Sequence, residues 1–165
     1  MQQLSKRTVR RNGAVARKSL PMRTFSESLP MALLRARETV MCRFRPGLRT
    51  RGVTEQQWRI LRALAETGPL EVTELADVTF LHAPSLSRIL RDMEARALIS
   101  RKSVDSDLRR AVVSIERKGL RLIAQHAPHS ESIYHDIERR FGRERLVQLF
   151  ALLDELETCM ADEQS

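Results

Sequence analysis

Residues 84–115 read PSLSRILRDMEARALISRKSVDSDLRRAVVSI, and this stretch decides the fold class. Pro84 suits the first turn of a helix. After this helix the period of the apolar residues changes, because 98–102 and 111–115 are typical of two short strands, with a polar hairpin tip over 103–110. Strands this short need a helical layer beneath them. The helix itself is indicated by apolar residues at intervals of three and four, namely Leu86, Ile89, Leu90 and Met93.

Two more helices are predicted before this stretch. Thr54-Glu55-Gln56-Gln57 matches a capping box and predicts a helix from Thr54 to the stop at Gly68-Pro69. A short helix over about 72–78 follows. Helix, turn, helix and hairpin, in this order, make a winged helix-turn-helix. The apolar face of the first of these helices comprises Trp58, Ile60, Leu61, Leu64 and Ala65.

Further helices flank this unit on both sides. One is predicted from near Ser28 towards Gly52. Another runs from Gly119 to about Arg139, and Pro128 is expected to kink or split it. After a break at 141–142, a last helix spans 143–160 and carries more apolar positions than a monomer with so small a core needs: Leu146, Leu149, Phe150, Leu153 and Leu156. The predicted fold is mainly α with a small β-hairpin wing.

The charge of this 165-residue chain is unevenly placed. Its net charge is +8, but residues 1–27 hold seven Lys and Arg against one Glu. We expect these residues to form a basic disordered arm. The arm also resembles a transit peptide, and initiation at Met22 or Met31 would remove most of it. The rest of the chain is nearly neutral, so nucleic-acid binding must be argued from where the charges fall.

Composition excludes several classes of protein. Only 4% of residues are aromatic, which disfavours a stacking platform for single strands, and two Cys fit a reducing compartment. Apolar runs fall short of a membrane span. Neither a catalytic motif nor a cofactor motif is found, so we expect no enzyme. His126, His129 and His135 lie near Pro128 without other ligands at metal-site spacing, so we expect no metal.

The helix over 84–95 is the candidate DNA-reading element. The second helix of a helix-turn-helix lies in the major groove and reads bases with its N-terminal side chains. The wing is suited to neighbouring phosphates or an adjacent minor groove. The alternative is that these side chains only form a solvated face. The candidate DNA contacts are Ser85, Ser87, Arg88 and Arg91 on the helix, and Arg101, Lys102, Arg109 and Arg110 beside the hairpin tip.

This order of elements and the quoted stretch resemble the MarR family of winged-helix repressors. Asp107-Leu108-Arg109 matches the Asp-x-Arg of the family's wing, in which the carboxylate orients the backbone and the Arg reaches DNA. SLPMALLRARETVMCRFRP at 28–46, followed by TEQQWRILRALAE at 54–66, resembles regulators of aromatic-acid catabolism of the homoprotocatechuate and 4-hydroxyphenylacetate type. The resemblance covers about 28–160. One departure is that 115–119 lack the Thr of the family's Leu-Thr-x-x-Gly.

The resemblance implies a MarR-like homodimer. Its dimerisation helices would be 28–52 and 117–160, with a DNA-binding lobe over 54–116 and a tail at 161–165. A two-fold dimer would bind a pseudo-palindromic operator in double-stranded DNA. We expect a sequence-specific regulator in the bacterial cytoplasm that associates with the nucleoid through DNA and has no contact with membranes.

The resemblance also implies a small aromatic carboxylate as effector, which releases a repressor from a catabolic operon. Arginine or hydroxyl groups would hold its carboxylate, aromatic rings would sandwich its ring, and a thioether would adapt to its shape. Pro30 stands where that branch often has a polar residue. Alternatively, the rings are core and the arginines pair with Glu38 or Glu66. The positions are Ser28, Arg37, Met41, Phe44, Trp58 and Arg62, with Glu55 nearby.

Two other functions stay open. Cys42 and Cys159 could make a thiol-based redox sensor of the same fold, which would need an activated thiolate. Otherwise these cysteines are small buried apolar residues. The second function is a winged-helix protein-interaction module, in which the arm binds RNA or acidic partners.

Overall fold

The computed structural model describes residues 23–104 and 107–161, without the side chains of Ser26, Val104 and 107–110. Most of the predicted basic arm and of the predicted tail lies outside these ranges, as do the side chains of Asp107, Arg109 and Arg110. The chain divides into two compact units, Met1–Glu38 and Thr39–Ser165. In the first, a 3-10 turn at Phe25–Glu27 is closed by the Thr24 hydroxyl, which donates to Glu27 Oε2 at 2.8 Å.

The described chain is mainly helical with a small antiparallel sheet, as predicted. In chain order the elements are α1 Leu29–Arg49, α2 Glu55–Thr67, β1 Leu70–Glu71, α3 Val72–Thr79, α4 Ala83–Ala95, β2 Ile99–Val104, β3 Asp107–Ile115, α5 Arg117–Phe141 and α6 Arg143–Ala161. Over the described residues, no helix is both long and apolar enough to cross a bilayer.

The capping box predicted for α2 is confirmed. The Gln57 backbone N–H donates to Thr54 Oγ1 at 3.2 Å, and the Thr54 N–H donates to Gln57 Oε1 at 3.0 Å. The helix ends at Gly68, where φ is +85°, a conformation that glycine adopts at low cost. Local chemistry therefore sets both ends of α2.

The sheet has one strand more than the sequence predicted. Its order is β1-β3-β2, with Leu70 opposite Val113 and Ile99 opposite Ile115. The prediction of a two-stranded sheet is wrong because β1 has two residues, too few to show a period. The tip predicted over 103–110 is also too long, since β2 reaches Val104 and β3 begins at Asp107.

The core lies between α2, α3, α4 and the sheet. The stripe predicted for α4 is confirmed, because Leu86, Leu90 and Met93 are fully buried there and Ile89 packs against them. The close-packed side chains of this lobe hold α4 in one orientation. The other buried members of the cluster are Ile60, Leu61, Leu64, Leu75, Leu98, Ile99 and Val113.

Helix α5 passes through Pro128 without a break. It is one helix of 25 residues, so the predicted split at Pro128 is wrong. A proline removes one N–H donor, and buried neighbours on the same helix, His126, Ser130 and Ile133, keep both halves packed. The predicted break after Phe141 is confirmed, with Gly142 at a φ of +94°.

Candidate nucleic-acid interface and effector site

One end of α4 presents polar side chains to solvent. Ser85, Ser87, Arg88 and Arg91 are all exposed, as the sequence predicts, while the opposite face of the helix is buried. Pro84 lies in the first turn, as expected. Because Cβ atoms tilt towards the helix N-terminus, these side chains lean towards the start of α4, and their contact with a DNA groove stays a prediction.

A strained turn precedes this helix. Phe80 has a φ of +50° and is 85% exposed, which is unusual for a bulky residue. The Phe80 N–H donates to Asp77 O, and Arg59 Nη1 on α2 donates to Thr79 O at 2.7 Å. Beside the turn is a groove of about 410 Å³ whose lining includes Phe80 and Arg88. Sequence reasoning missed Phe80, because nothing in the local pattern marks a left-handed residue.

Gln57 ties α4 to α2. Its Nε2 donates to Asp92 Oδ2 on α4 at 2.7 Å, while its Oε1 accepts from the α2 cap. Gln57 is 6% exposed whereas Asp92 is exposed, so the bond runs from a buried amide to a carboxylate at the surface. Arg96 Nη1 also lies 3.4 Å from Asp92 Oδ2. One side chain therefore joins the start of α2 to the DNA-reading helix.

Among the wing arginines, the structure describes the side chain of Arg101 but not those of Arg109 and Arg110. Arg101 Nε donates to Glu94 Oε2 at 2.8 Å, and this bond lowers the pKa of Glu94 from its ordinary value. Arg101 would have to leave this carboxylate to reach a phosphate. Lys102 is exposed. The side chains of Asp107, Arg109 and Arg110 lie outside the described residues, so their contacts stay predictions.

The second unit holds four of the six candidate effector residues. The Trp58 ring meets the His126 ring edge to face, with centroids 4.6 Å apart, and Phe44 packs on Tyr134 at 5.3 Å. Phe44 is buried, Met41 and Trp58 are half-buried, and Arg62 is exposed. Aromatic faces thus line α2, α5 and the end of α1. Sequence reasoning missed Tyr134 because its position on α5 carries no local signal.

The other two candidates, Ser28 and Arg37, lie in the first unit. Arg37 Nη1 is 2.8 Å from Glu38 Oε1, the pair that the alternative interpretation named. In the second unit, Glu55 holds two arginines, with Arg45 Nη2 at 3.1 Å and Arg59 Nη2 at 3.3 Å. The Glu55 side chain is largely buried beneath these two guanidinium groups.

His126 is the most unusual buried group. It is 0% exposed, and neither ring nitrogen has a hydrogen-bond partner among the described residues. Burial, followed by the nearby charges of Arg51 and His129, lowers the pKa of His126 from its ordinary value. Gly47 makes room for this pair of histidines, since a Cβ there would lie 2.5 Å from His129 Nε2 and 3.0 Å from His126 Cε1. The sequence had suggested His126 only as a metal ligand to be discounted.

Comparison with known proteins decides the family. A sequence profile described as MarR family matches residues 51–110. The HTH-type transcriptional regulator FarR of Neisseria gonorrhoeae is 36% identical over 137 residues, which cover 83% of this chain and 94% of FarR. The chain belongs to the MarR family. It is therefore a transcriptional regulator that binds DNA through its winged helix-turn-helix.

Two further relatives narrow the branch of the MarR family. The homoprotocatechuate degradative operon repressor of Escherichia coli is 39% identical over 129 residues, covering 78% of this chain and 87% of that protein. The crystal structure of NadR in complex with 4-hydroxyphenylacetate has a TM-score of 0.72 and 36% identity, covering 83% of this chain and 97% of NadR. The predicted resemblance to the aromatic-catabolism branch is confirmed.

The last helix of this MarR chain contacts α5 but is only partly covered. In the described residues, no member of α6 is buried. Large apolar side chains stay exposed along it, including Val147 at 62%, Phe150 at 60% and Leu152 at 63%. Apolar surface of this extent marks an interaction site.

Both cysteines of the chain are exposed free thiols. The interpretation of Cys42 and Cys159 as buried apolar residues is wrong for the single chain. Cys42 Sγ lies 2.9 Å from Thr39 O, one turn earlier on the same helix, so this thiol faces its own backbone.

Proposed function

We propose that this MarR-family regulator represses an aromatic-acid catabolic operon and that a small phenolic carboxylate releases it from double-stranded DNA. One observation carries the proposal. Helix α2 carries two candidate effector residues, Trp58 and Arg62. On the same helix, Gln57 precedes Trp58 and hydrogen-bonds Asp92 on α4. A ligand that moves α2 would thus move the DNA-reading helix.

The effector chemistry follows from the side chains. The exposed Arg62 guanidinium can take a carboxylate in a bidentate pair, and the half-buried Trp58 ring offers a face for an aromatic ring. Phe44 is buried against Tyr134, so a ligand would have to displace this contact to reach its ring. Met41 is a flexible thioether that adapts to ring substituents. Ser28 and Arg37 stay sequence-based predictions. The complex of NadR with 4-hydroxyphenylacetate supports this class of ligand.

The regulator would act as a homodimer. The exposed apolar side chains of α6 support an interface formed by residues 28–52 and 117–160, with 54–116 as the DNA-binding lobe. A two-fold axis places two copies of α4 on half-sites roughly 34–36 Å apart, so the operator would be pseudo-palindromic. The ligand would favour a dimer in which these helices are wrongly spaced, through its higher affinity for that state.

A gel-shift titration tests the DNA part of the proposal. An operator is first selected from random duplexes by the full chain. Arg88→Ala should weaken operator binding by about 1–3 kcal/mol and relax preference at one base pair, because an arginine fork on guanine carries that much discrimination. Binding of the unchanged chain to bulk DNA with equal affinity would reject sequence-specific regulation.

A screen of phenolic acids tests the effector part. A ligand at 100 times its dissociation constant stabilises the fold by about 2.7 kcal/mol. Arg62→Gln should abolish this stabilisation and the release from DNA while leaving operator binding intact. Glu66→Gln, one turn further on α2 and exposed, is the matched control. Equal responses of the Arg62→Gln variant and the unchanged chain would argue against this site.

The exposed thiols favour one second candidate, a regulator that responds to oxidants. Cys42 and Cys159 are both free and accessible in the single chain. A Cys42→Ser, Cys159→Ser double variant should then bind DNA in the presence of peroxide as it does without it. A double variant that still dissociates on oxidation would remove this candidate.

A further inference from the structure

A basic cavity lies on the second unit, and none of its lining residues is an effector candidate. It has a volume of about 510 Å³ and is formed by three segments: the end of α1, the loop after α4, and the first turns of α5. Four of its residues are cations, and none of the described lining residues is acidic. The lining comprises Thr50, Arg51, Arg96, Leu98, Lys118, Arg121, Leu122 and Gln125.

Backbone carbonyl groups, which carry no net charge, orient three of these cations. Arg51 Nη2 donates to Gln125 O at 2.9 Å, Arg96 Nη2 donates to Gly52 O at 2.8 Å, and Lys118 Nζ donates to Arg96 O at 2.9 Å. A carbonyl fixes a cation without neutralising it. Among the described side chains, Arg96 is the one of these three that also approaches a carboxylate, through Nη1 at 3.4 Å from Asp92 Oδ2. The cavity therefore keeps most of its positive charge.

The start of α5 adds to this charge. Its N-cap residue Glu116 makes no side-chain capping bond in the described structure, and its first turn holds Arg117 and Lys118 with no acidic residue. Cations at the positive end of a helix dipole are unfavourable, and an anion there is favourable. The Thr that the family pattern places before this helix is missing from 115–119. The Glu116 carboxylate at the N-cap offsets part of this cost, and an anion bound beside Lys118 would offset more of it.

DNA is a poor candidate for the occupant. Arg96 and Leu98 follow the C-terminal end of α4, a helix of 13 residues. At about 1.5 Å per residue, the cavity lies roughly 20 Å along the axis from the end that carries Ser85. The groove-reading end and the cavity are therefore at opposite ends of the helix.

We propose that this cavity is a binding site for a small dianion that carries a phosphate group or two carboxylates. The volume suits a small metabolite. Arg and Lys from three segments would converge on the two negative charges, so binding would join the end of α1, the end of α4 and the start of α5. The proposal does not depend on the aromatic effector site, which uses other residues.

Calorimetric titration of the full chain with pyrophosphate tests the proposal, with sodium chloride at matched ionic strength as the blank. We expect saturable binding of one pyrophosphate per chain, weakened at least tenfold in Arg121→Gln and in Lys118→Gln. Arg117→Gln is the matched control, because Arg117 is exposed in the same helical turn but does not line the cavity. It should bind as the unchanged chain does. If Lys118→Gln does not fold, the titration of Arg121→Gln decides the proposal, because Arg121 is exposed.

Three results would overturn the proposal. The first is no saturable binding above the chloride blank. The second is an equal loss in Arg117→Gln, which would mean diffuse charge attraction. The third is an operator-binding salt slope that falls by about 1 in Arg121→Gln, which would make this arginine a DNA phosphate contact. Malonate in the same titrations distinguishes a dicarboxylate site from a phosphate site.

Discussion

Replacing His126 with leucine should flatten the dependence of folding stability on pH in the mildly acidic range. In the folded chain the imidazole is fully buried, and both ring nitrogens lack a hydrogen-bond partner in the described part. The groups that face it are Trp58 from α2, His129 from α5 and Arg51 after α1, so no carboxylate among them stabilises an imidazolium. Protonation therefore costs free energy in the folded state only.

The magnitude follows from linkage. The pKa of His126 is lowered from the ordinary value of about 6.5, first by burial and then by the charges of Arg51 and His129. Between the lowered pKa and 6.5, the unfolded chain holds a proton that the folded chain lacks. The free energy of unfolding then rises with pH by up to about 1.4 kcal/mol per pH unit, and the stability is lost as the pH falls below 6.5. Leucine has no proton to bind.

Urea unfolding of both proteins at several pH values from 5.5 to 7.5 measures the two slopes. The difference in slope is the test, because carboxylates contribute alike to both proteins and any change in packing shifts all pH values together. His82→Leu removes an exposed imidazole before α4 and is the matched control for the loss of one histidine. Parallel curves for the unchanged chain and His126→Leu would refute the reasoning.

Three further changes probe the fold. Thr54→Ala removes the hydroxyl that caps α2 and should lower the free energy of unfolding by about 1 kcal/mol in urea titrations, with Thr54→Ser close to the unchanged chain. Gly119→Ala would place a Cβ 2.5 Å from Leu98 O and should lower the melting temperature through a loss of about 1–3 kcal/mol, and an unchanged melting temperature would contradict this contact. Phe80→Asn should raise stability by up to about 1 kcal/mol, since Asn tolerates the φ of +50° better, and calorimetry that shows a loss would mean that the ring packs.

The helical frame followed from local chemistry in the sequence. The Thr54 capping box, the stop at Gly68, Pro84 in the first turn of α4 and the break at Gly142 all occur where the sequence predicted them. Each is set by interactions within a few residues of the chain, so a sequence pattern records them. The apolar stripe of α4 likewise predicted which face would be buried and which would be exposed.

The exposed positions of α4 that carry the candidate DNA contacts could be predicted from the sequence, because exposure on a helix follows its period. Contacts between different helices and strands could not be predicted in this way. Strand β1 exists only through its pairing with Val113 of β3, and Arg101 faces Glu94 only because the sheet folds back beside α4. These contacts join residues from different elements, and no helical or strand period in the sequence relates their positions.

The sequence by itself determined the MarR fold class, the order of helices and wing, and the polar face of α4, because propensity, capping and periodicity are local. Only the tertiary structure decided that His126 is buried with its nitrogens unpaired, that Gln57 joins α2 to α4, and that cations from three segments share one cavity. The burial of a side chain and the charges around it depend on which elements pack together. Packing brings together residues that are far apart in the sequence, and no local pattern records such contacts.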